Sequence, residues 1–234
     1  MLTLAIDTAT ALTTVAVSDS DGGTLVEAEH LDARRHAEAL PRLVREVLAR
    51  SGVTPRDLSL VAVGVGPGPF TGLRVGIAFA RATAQARAIP CVGAMSLDVI
   101  ARGQAAHVPG PFTVVTRSRR VEVAWAAYDG AEGLERLQGP LVLADPGYPR
   151  LGRVVGDVDG VDVAARPRAA DLADLVRDRR AAGEPLPRHH EWPEDASDGS
   201  GAPTAAVLEG LAAEGRWLLP ALPLYMRRPD AVPA

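Results

Sequence analysis

Two short stretches of the sequence combine residue types that could bind a phosphate group. The first is DTAT, where Asp7, Thr8 and Thr10 follow an apolar run and could surround an anion with the N–H groups and hydroxyls of a tight turn. The second is GPGPFTG, residues 66–72, which follows another apolar run and begins a helix whose N-terminal amides favour negative charge. Both patterns are also common structural turns. The residues alone leave phosphate binding and a purely structural role open.

The sequence lacks the spacing of the common catalytic and metal-binding motifs. The five histidines do not form an HxxxH pair, and residue 40, four positions after His36, is a leucine. No serine lies in a GxSxG elbow, and the absence of lysine excludes a P-loop and a Schiff-base enzyme. The acidic run GDVDGVD, residues 156–162, lacks the further ligands of a calcium loop and is interpreted as a turn. These observations predict no catalytic residue and no metal site.

Composition limits the class of protein. The chain has 234 residues, of which 47% are hydrophobic and 23% are charged, as expected for a folded, water-soluble protein. It has no long apolar run and no basic flank near Met1, so we expect a cytoplasmic protein without a membrane span. A net charge of −4 does not favour direct binding of nucleic acid, although Arg117, Arg119 and Arg120 form a local basic group. The single cysteine, Cys91, is predicted to pack in the core.

The first half of the chain predicts three antiparallel strands followed by helices and parallel strands. The three strands are predicted over 1–7, 12–18 and 24–30. An amphipathic helix follows and ends at Gly52, and Pro41 predicts a kink near residue 37 or a helix that begins near residue 40. The continuous apolar run at 58–65 predicts a buried strand with parallel neighbours. A second long helix is predicted to about residue 88, followed by a strand over 91–94 and a helix from Ser96, which is predicted to cap it.

The second long helix has a face that carries almost no side chains. Its small residues recur every four positions, at Gly72, Gly76, Ala80 and Ala84, so another backbone could approach that face closely. Glycine in a helix costs about 1 kcal/mol relative to alanine, and a close packing partner would compensate for that cost. From the pattern alone, packing on the chain's own sheet is the favoured role of this face.

A segment near 107–111 predicts a boundary, after which a second set of strands begins. Strands are predicted over 112–116, 121–128 and 138–143, then short strands over 154–156 and 161–164 and a helix over 169–182. The polar, proline-rich segment 183–203 is predicted to be a mobile loop. A last helix is predicted over 204–215, before a proline-punctuated tail.

Several motifs together resemble the TsaB (YeaZ) family. They are LAIDTAT, the HxxxLP pattern at 36–41, GVGPGPFTGLRVG, EVAWAAY at 122–128 and PLYMR at 223–227. The resemblance implies an α/β fold of two actin-like ATPase (ribonuclease H-like) subdomains, each a mixed sheet with helices. We place them at 1–107 and 108–234. Where many relatives have Asp-Ala-Arg before the strand that begins at Glu122, this chain has Arg117, Ser118 and Arg119.

The resemblance also implies a function. Members of this family are noncatalytic scaffold subunits of the tRNA threonylcarbamoyladenosine modification complex, which acts on the adenosine next to the anticodon. They bind and activate a TsaD-like transferase, a TsaE-like ATPase joins the assembled complex, and tRNA is contacted only indirectly. Without the transferase the subunit forms a homodimer, and no cofactor is implied. Asp7, Thr8 and Thr10 then form a vestigial phosphate loop, which lacks the glycine and the basic residue of nucleotide-binding relatives.

The family's docking and dimer face is built from two helices, which correspond here to residues 34–50 and 70–88. On that correspondence we predict that the interface is formed by Leu40, Leu43, Val47, Gly72, Leu73, Gly76, Ile77 and Ala80, with Leu73 and Ile77 outward and Val75 and Phe79 inward. This prediction requires the near-bare face to meet another polypeptide. The competing hypothesis is an ATP-dependent small-molecule kinase or a peptidase-like enzyme of the same fold, with Asp7 at the phosphates.

Overall fold

A computed structural model describes residues 1–119, 121–131, 133–145, 147–187 and 216–224. The described residues form two mixed sheets with helices, which confirms the predicted α/β class. The predicted helix over 204–215, most of the predicted loop over 183–203, and His189 and His190 lie outside these ranges. Among the described residues, no helix is long and apolar enough to cross a membrane.

The first sheet has six strands in the order β11-β5-β4-β1-β2-β3. Its bounds are β1 Leu2–Asp7, β2 Leu12–Asp19, β3 Gly23–Leu31, β4 Leu58–Gly64, β5 Cys91–Ala94 and β11 Leu218–Leu219. The strands β1, β2 and β3 pair antiparallel, whereas β4 pairs parallel with both β1 and β5. The sheet is buried on both sides at β1, β2 and β4, as continuous apolar runs require. The predicted antiparallel start and the parallel strand over 58–65 are therefore confirmed.

Three helices connect or follow these strands: α1 His36–Ser51, α2 Phe70–Arg87 and α3 Ser96–Gln104. The predicted stop of α1 at Gly52 is confirmed, and Gly52 adopts the left-handed conformation that ends many helices. The expected start near residue 40 is wrong, because α1 begins at His36 and contains Pro41. Pro41 has no N–H, so the carbonyl of Ala37 lacks its helical hydrogen bond. Both residues are exposed, so water can bond that carbonyl.

Helices cover both faces of the first sheet. The hydroxyl of Thr13 is 2.7 Å from Nδ1 of His36 on α1, whereas the hydroxyl of Thr14 accepts a hydrogen bond from the N–H of Ala169. Ala169 is the first residue of α4, Ala169–Ala181. Because successive strand residues point to opposite faces, α1 and α4 lie on opposite sides of the sheet.

The second sheet has five strands in the order β10-β9-β6-β7-β8. Its bounds are β6 Pro111–Arg119, β7 Glu122–Asp129, β8 Glu135–Ala144, β9 Arg153–Gly156 and β10 Val163–Ala164. The strands β6, β7 and β8 pair antiparallel, and β9 pairs parallel with β6 and with β10. This arrangement repeats the strand plan of the first sheet. One side of this sheet carries a small core of its own around Trp125 and Tyr148.

The chain returns to the first half after the second sheet. Strand β11 pairs with β5, and α4 packs across β1 to β4 and against α3. The N–H of Ala170 on α4 also donates to Glu27 on β3 at 3.0 Å. The sequence alone divides the chain at 107, whereas these two elements of the C-terminal segment belong spatially to the first sheet.

A buried polar cluster joins the two halves. Asp98 on α3 accepts hydrogen bonds from the Tyr128 hydroxyl at 2.7 Å and from Nε of Arg136 at 3.0 Å. The Arg136 guanidinium forms an ion pair with Asp98, in which both side chains are nearly inaccessible to solvent. It also lies over the ring of Trp217, which Arg179 of α4 covers at 3.8 Å. Removing one partner of such a buried ion pair would leave the other charge buried without compensation, which strongly destabilises a folded protein. The pair therefore favours the arrangement in which α3 packs against the second sheet.

Candidate functional site

The first candidate site is the turn between β1 and β2, which contains DTAT. Asp7 is the last residue of β1, the strand that has β2 as its neighbour on one side and β4 on the other. The connection to β2 and the later connection to β4 thus leave β1 on opposite sides, which makes this end of β1 a topological switch point. Ligands of open α/β sheets bind at such switch points, next to the carboxyl ends of the parallel strands. The topology therefore places the predicted phosphate turn where a ligand would bind in this class of fold.

The Asp7 carboxylate is fully buried and makes two hydrogen bonds within the chain. The N–H of Ala9 donates to Oδ1 at 2.7 Å, and the Ser96 hydroxyl donates to Oδ2 at 2.7 Å. Burial raises the pKa of Asp7 to about 6, and the two hydrogen bonds limit that rise because they stabilise the ionised form. Both carboxylate oxygens of Asp7 therefore accept hydrogen bonds from donors within the chain itself.

Ser96 was not predicted at this site. It was expected to cap α3, but the N-cap residue is Met95 and the Ser96 side chain bonds Asp7 instead. That prediction is wrong because α3 begins just after β5, which is separated from β1 by β4, and the missing side chain of Gly64 at the end of β4 lets Ser96 reach Asp7. A serine two residues after a buried strand is the sequence signal for this contact.

The near-bare face of α2 packs directly against the DTAT turn. The Thr8 hydroxyl donates to the carbonyl of Gly72 at 2.7 Å. A Cβ at Gly72 would lie 2.5 Å from the Thr8 carbonyl oxygen, and one at Gly76 would lie 2.3 Å from Thr8 Oγ1. Real Cβ atoms do not come that close, so only glycine fits at these two positions. The sequence correctly indicated a close backbone contact, but the contacting backbone belongs to the same chain.

Two further glycines close the site from β4 and the loop after it. A Cβ at Gly64 would lie 1.7 Å from Asp7 Oδ2, and one at Gly68 would lie 2.0 Å from the carbonyl oxygen of Ala9. Thr10 also turns inward, where its hydroxyl accepts the N–H of Leu12 at 3.2 Å. The predicted anion cradle is therefore filled by the GVGPGPFTG segment, and the two phosphate-loop candidates form one closed unit.

His36 completes this unit from α1. Besides its bond to Thr13, its ring lies 3.3 Å from the position that a Cβ of Gly72 would occupy. Burial lowers the pKa of His36. Its role is packing between α1, β2 and α2, and no group of three or more His, Cys, Asp or Glu side chains suited to a metal occurs within the part of the chain that the structure describes.

The predicted interface residues are buried inside the subunit, which corrects that residue assignment. Each of the following is at most 3% exposed: Leu40, Leu43, Val47, Leu73, Ile77 and Ala80. Gly72 and Gly76 are buried as well. The predicted orientation of α2 is reversed, because Leu73 and Ile77 face the sheet while Val75 and Phe79 are half-exposed. The apolar stripes of both helices are used in covering the first sheet.

Different residues of the same helices face solvent. On α1 these include Ala37, Pro41, Arg42, Arg45 and Ala49, and on α2 they include Thr71, Arg74, Ala78 and Ala82. The ring of Phe70, 37% exposed, lies under the guanidinium of Arg74 at 3.8 Å. The helical period places these residues opposite the buried stripe, once the fold shows which stripe faces the sheet.

The second switch point, between β6 and β9, contains the departure from the family pattern. The N–H of Arg117 donates to Asp157 at 3.3 Å, and its guanidinium pairs with Asp145 at 2.7 Å. Burial raises the pKa of Asp157. Asp157 thus accepts a hydrogen bond from the backbone of β6. This structural role agrees with the interpretation of residues 156–162 as a turn.

Comparison with known proteins identifies the family. The family model described as "TsaD: tRNA N6-adenosine threonylcarbamoyltransferase" matches residues 24–143, just over half of the chain. The protein Rv3421c of Mycobacterium tuberculosis is 41% identical over 98% of this chain and 93% of its own. The tRNA threonylcarbamoyladenosine biosynthesis protein TsaB of Escherichia coli is 29% identical over 82% of this chain and 93% of its own.

A solved structure shows that the fold is shared. YeaZ from Pseudomonas aeruginosa superposes with a TM-score of 0.69 at 24% identity, over 78% of this chain and 93% of that one. This likeness agrees with the actin-like arrangement of two related sheets predicted from the sequence. Sequence and fold together show that the chain belongs to the TsaD family of proteins, within its TsaB (YeaZ) group.

Proposed function

We propose that this chain is a noncatalytic subunit of the tRNA threonylcarbamoyladenosine modification machinery, and that it binds and activates a TsaD-like transferase. Kinship with the Escherichia coli biosynthesis protein, over 93% of that protein's length, supports the pathway. A TsaE-like ATPase would join the assembled complex, a homodimer would form when the transferase is absent, and tRNA would be reached through the transferase.

One observation carries the noncatalytic part of the proposal: the closed turn between β1 and β2. Four glycines bring α2, β4 and the loop between them into contact with Asp7, Thr8 and Ala9. The Asp7 carboxylate already accepts two hydrogen bonds, and a phosphate there would displace the chain's own atoms. This occupied turn favours a scaffold over the kinase or peptidase-like alternative.

The outer surface of α1 and α2 is the proposed docking site. The expectation that the buried stripe meets the transferase no longer supports the scaffold, because that stripe packs on the sheet. The outer residues of the same two helices remain accessible, and several of them are small, so a second protein can approach the helices closely.

Reconstitution tests the function. The chain, the TsaD-like transferase and the TsaE-like ATPase of the same organism are purified and supplied with an activated threonylcarbamoyl donor, ATP and tRNA. Formation of threonylcarbamoyladenosine on the tRNA is measured with and without the chain. We expect activity only when the chain and the transferase are both present. A transferase that is equally active alone would overturn the proposal, as would micromolar binding of ATP and magnesium to the isolated chain that Asp7→Ala abolishes.

A matched pair of variants tests the surface. Ala78→Trp places a bulky side chain on the outer surface of α2, whereas Ala181→Trp makes the same change at an exposed position of α4. We expect Ala78→Trp to weaken transferase binding at least about tenfold, as loss of a well-packed contact does. Ala181→Trp should bind normally, and equal effects of the two changes would remove the surface assignment.

A further inference from the structure

Helices α1 and α2 lie side by side and present one continuous outer surface, which we call the two-helix face. Their N-terminal turns meet where the His36 ring packs against Gly72. Near their other ends, Arg87 of α2 donates to the carbonyls of Pro55 and Arg56, at 2.8 and 3.2 Å, just after α1 ends. Contacts at both ends show that the two helices run alongside each other. The two-helix face consists of the outward residues of His36–Ser51 and Phe70–Arg87.

The two-helix face is basic although the chain is acidic. Helix α1 contains three arginines and two glutamates, and α2 contains three arginines and no acidic residue. The two helices therefore carry a net charge of +4 in a chain whose net charge is −4. The remainder of the chain must carry the opposite sign, so the positive charge is concentrated in these two helices and the arginines next to them, Arg34, Arg35 and Arg56.

Local contacts leave much of this positive charge in place. Glu46 lies 3.9 Å from Arg42 and 3.0 Å from Arg50, so its single negative charge is shared between two arginines. On α2, Arg74 lies over the Phe70 ring. Arg87 bonds backbone carbonyls, and this contact does not cancel its charge. Arg45 makes no ion pair with any residue that the structure describes.

The N-terminus of α2 adds to the same sign. Neither α1 nor α2 has a side-chain hydrogen bond at its N-cap, and α2 has no acidic residue in its first turn, whereas α1 has Glu38 there. A helix N-terminus carries partial positive charge, which a carboxylate in the first turn offsets. The uncompensated partial charge is therefore that of α2, and it lies at the end of the two-helix face where His36 meets Gly72.

We infer that the two-helix face selects its partner by charge: it attracts an acidic surface on the transferase and disfavours a second copy of this chain. The inference rests on the proposed function, which supplies the partner. A symmetric homodimer through this face would place the same basic patch on both sides of the interface, where like charges repel. A transferase surface with acidic side chains would remove that repulsion.

The inference predicts opposite salt dependence for the two assemblies. Between about 50 and 500 mM NaCl, the Kd of the transferase complex should rise about tenfold, because salt screens attraction between exposed charges. Over the same range, the Kd of the homodimer should fall about threefold, because salt screens repulsion. Calorimetry measures the first Kd, and sedimentation equilibrium of the full chain measures the second.

Charge variants locate the effect. The double variant Arg45→Glu and Arg74→Glu changes two exposed side chains, so its fold should be retained and can be checked by circular dichroism. We expect it to weaken the transferase complex about tenfold at low salt and to tighten the homodimer. Arg45→Lys with Arg74→Lys should bind normally, and Arg153→Glu, an exposed reversal on β9, serves as the control.

Three outcomes overturn the inference while leaving the proposed function intact. The first is a transferase complex whose Kd does not change with salt or with the double reversal. The second is a homodimer that is as tight at low salt as at high salt. The third is loss of tRNA binding in the double variant with normal transferase binding, which would make the face an RNA-binding surface. Absence of any transferase complex at either salt concentration would instead overturn the proposed function.

Discussion

The two sheets share one strand plan, but their switch points are built differently. In the first sheet Ile6 pairs with Val63, which brings Asp7 next to Gly64; in the second, Val115 pairs with Gly156, which brings Thr116 next to Asp157. Each switch point thus contains one aspartate, on the central strand in one case and after the neighbouring strand in the other. Both switch points therefore have an aspartate, but the first lies at the end of the central strand β1 and the second lies just after β9, the parallel neighbour of β6.

The elements around the two aspartates also differ. Helix α2 follows Gly64 and its glycines pack on the turn after Asp7, whereas the residues from 157 to 162 connect β9 to β10 without a helix. The Thr116 hydroxyl is buried and has no hydrogen-bond partner within the described ranges, whereas both oxygens of Asp7 are satisfied. The comparison shows that the helix, and not the strand plan, closes the first site. The same helix supplies half of the proposed docking surface.

The largest effect should come from a methyl group at the first switch point. Gly64→Ala would place its Cβ 1.7 Å from Asp7 Oδ2 and 2.9 Å from Ser96 Oγ, so a buried carboxylate would lose its position and a hydrogen bond. We expect the free energy of unfolding to fall by about 4 kcal/mol or more, in the range of severe core substitutions. Urea denaturation measures the change.

Gly22→Ala is the control for this substitution, because nothing lies within 4 Å of its added Cβ and the residue is in an exposed turn. It should change the free energy of unfolding by less than about 0.5 kcal/mol. Equal stability of the two variants would contradict the close packing at Asp7.

The raised pKa of Asp7 predicts a loss of stability as the pH increases. Burial raises the pKa to about 6 in the folded state, above the ordinary value of 3.8 that applies to the unfolded chain. Between these values the folded state holds a proton that the unfolded state has released, so this contribution is largest at low pH and is lost as pH rises through about 6. The loss between pH 5 and pH 8 should be about 1–2 kcal/mol.

Asp7→Asn tests this directly, because the amide can still accept the N–H of Ala9 but does not titrate. The variant should lack that part of the pH dependence in urea denaturation at pH 5 and pH 8. Asp157→Asn provides the comparison with the second half, where burial also raises the pKa but the residue is only partly buried, so the change should have the same sign and a smaller size. A wild-type pH dependence in Asp7→Asn would show that Asp7 is not the group involved.

The strand plan could be predicted from the sequence because each strand has a local signature. Three β-rich runs separated by short turns indicated the antiparallel start, and the continuous apolar run at 58–65 indicated the parallel strand. Helix positions followed from the 3.6-residue period, but the direction of each face did not. Helix α2 has two apolar stripes with helical spacing, one with Leu73 and Ile77 and one with Val75 and Phe79. Either stripe could face the sheet, and only the fold shows that Leu73 and Ile77 do so.

The candidate site was harder to predict because its contacts join distant parts of the chain. Ser96 is 89 residues from Asp7, and Gly72 is 64 residues from Thr8. The spacing of glycines correctly indicated close approach of a backbone, since no other residue type gives that shape. Whether the approaching backbone belonged to the same chain or to a partner depended on topology, which no local pattern contains.

The coupling between Gly76 and Thr8 is the most specific of the predicted effects, because it measures one contact between α2 and the turn. Gly76→Ala should destabilise the protein by about 2 kcal/mol, since its Cβ would lie 2.3 Å from Thr8 Oγ1 in a packed core. In a Thr8→Ala background that oxygen is absent, so the same substitution should cost about 1 kcal/mol less, which is the coupling expected of residues in contact. Urea denaturation of the four proteins of this double-mutant cycle gives the value. A coupling near zero would mean that α2 does not close on the turn, and the contrast between the two switch points would then lie in the strands alone.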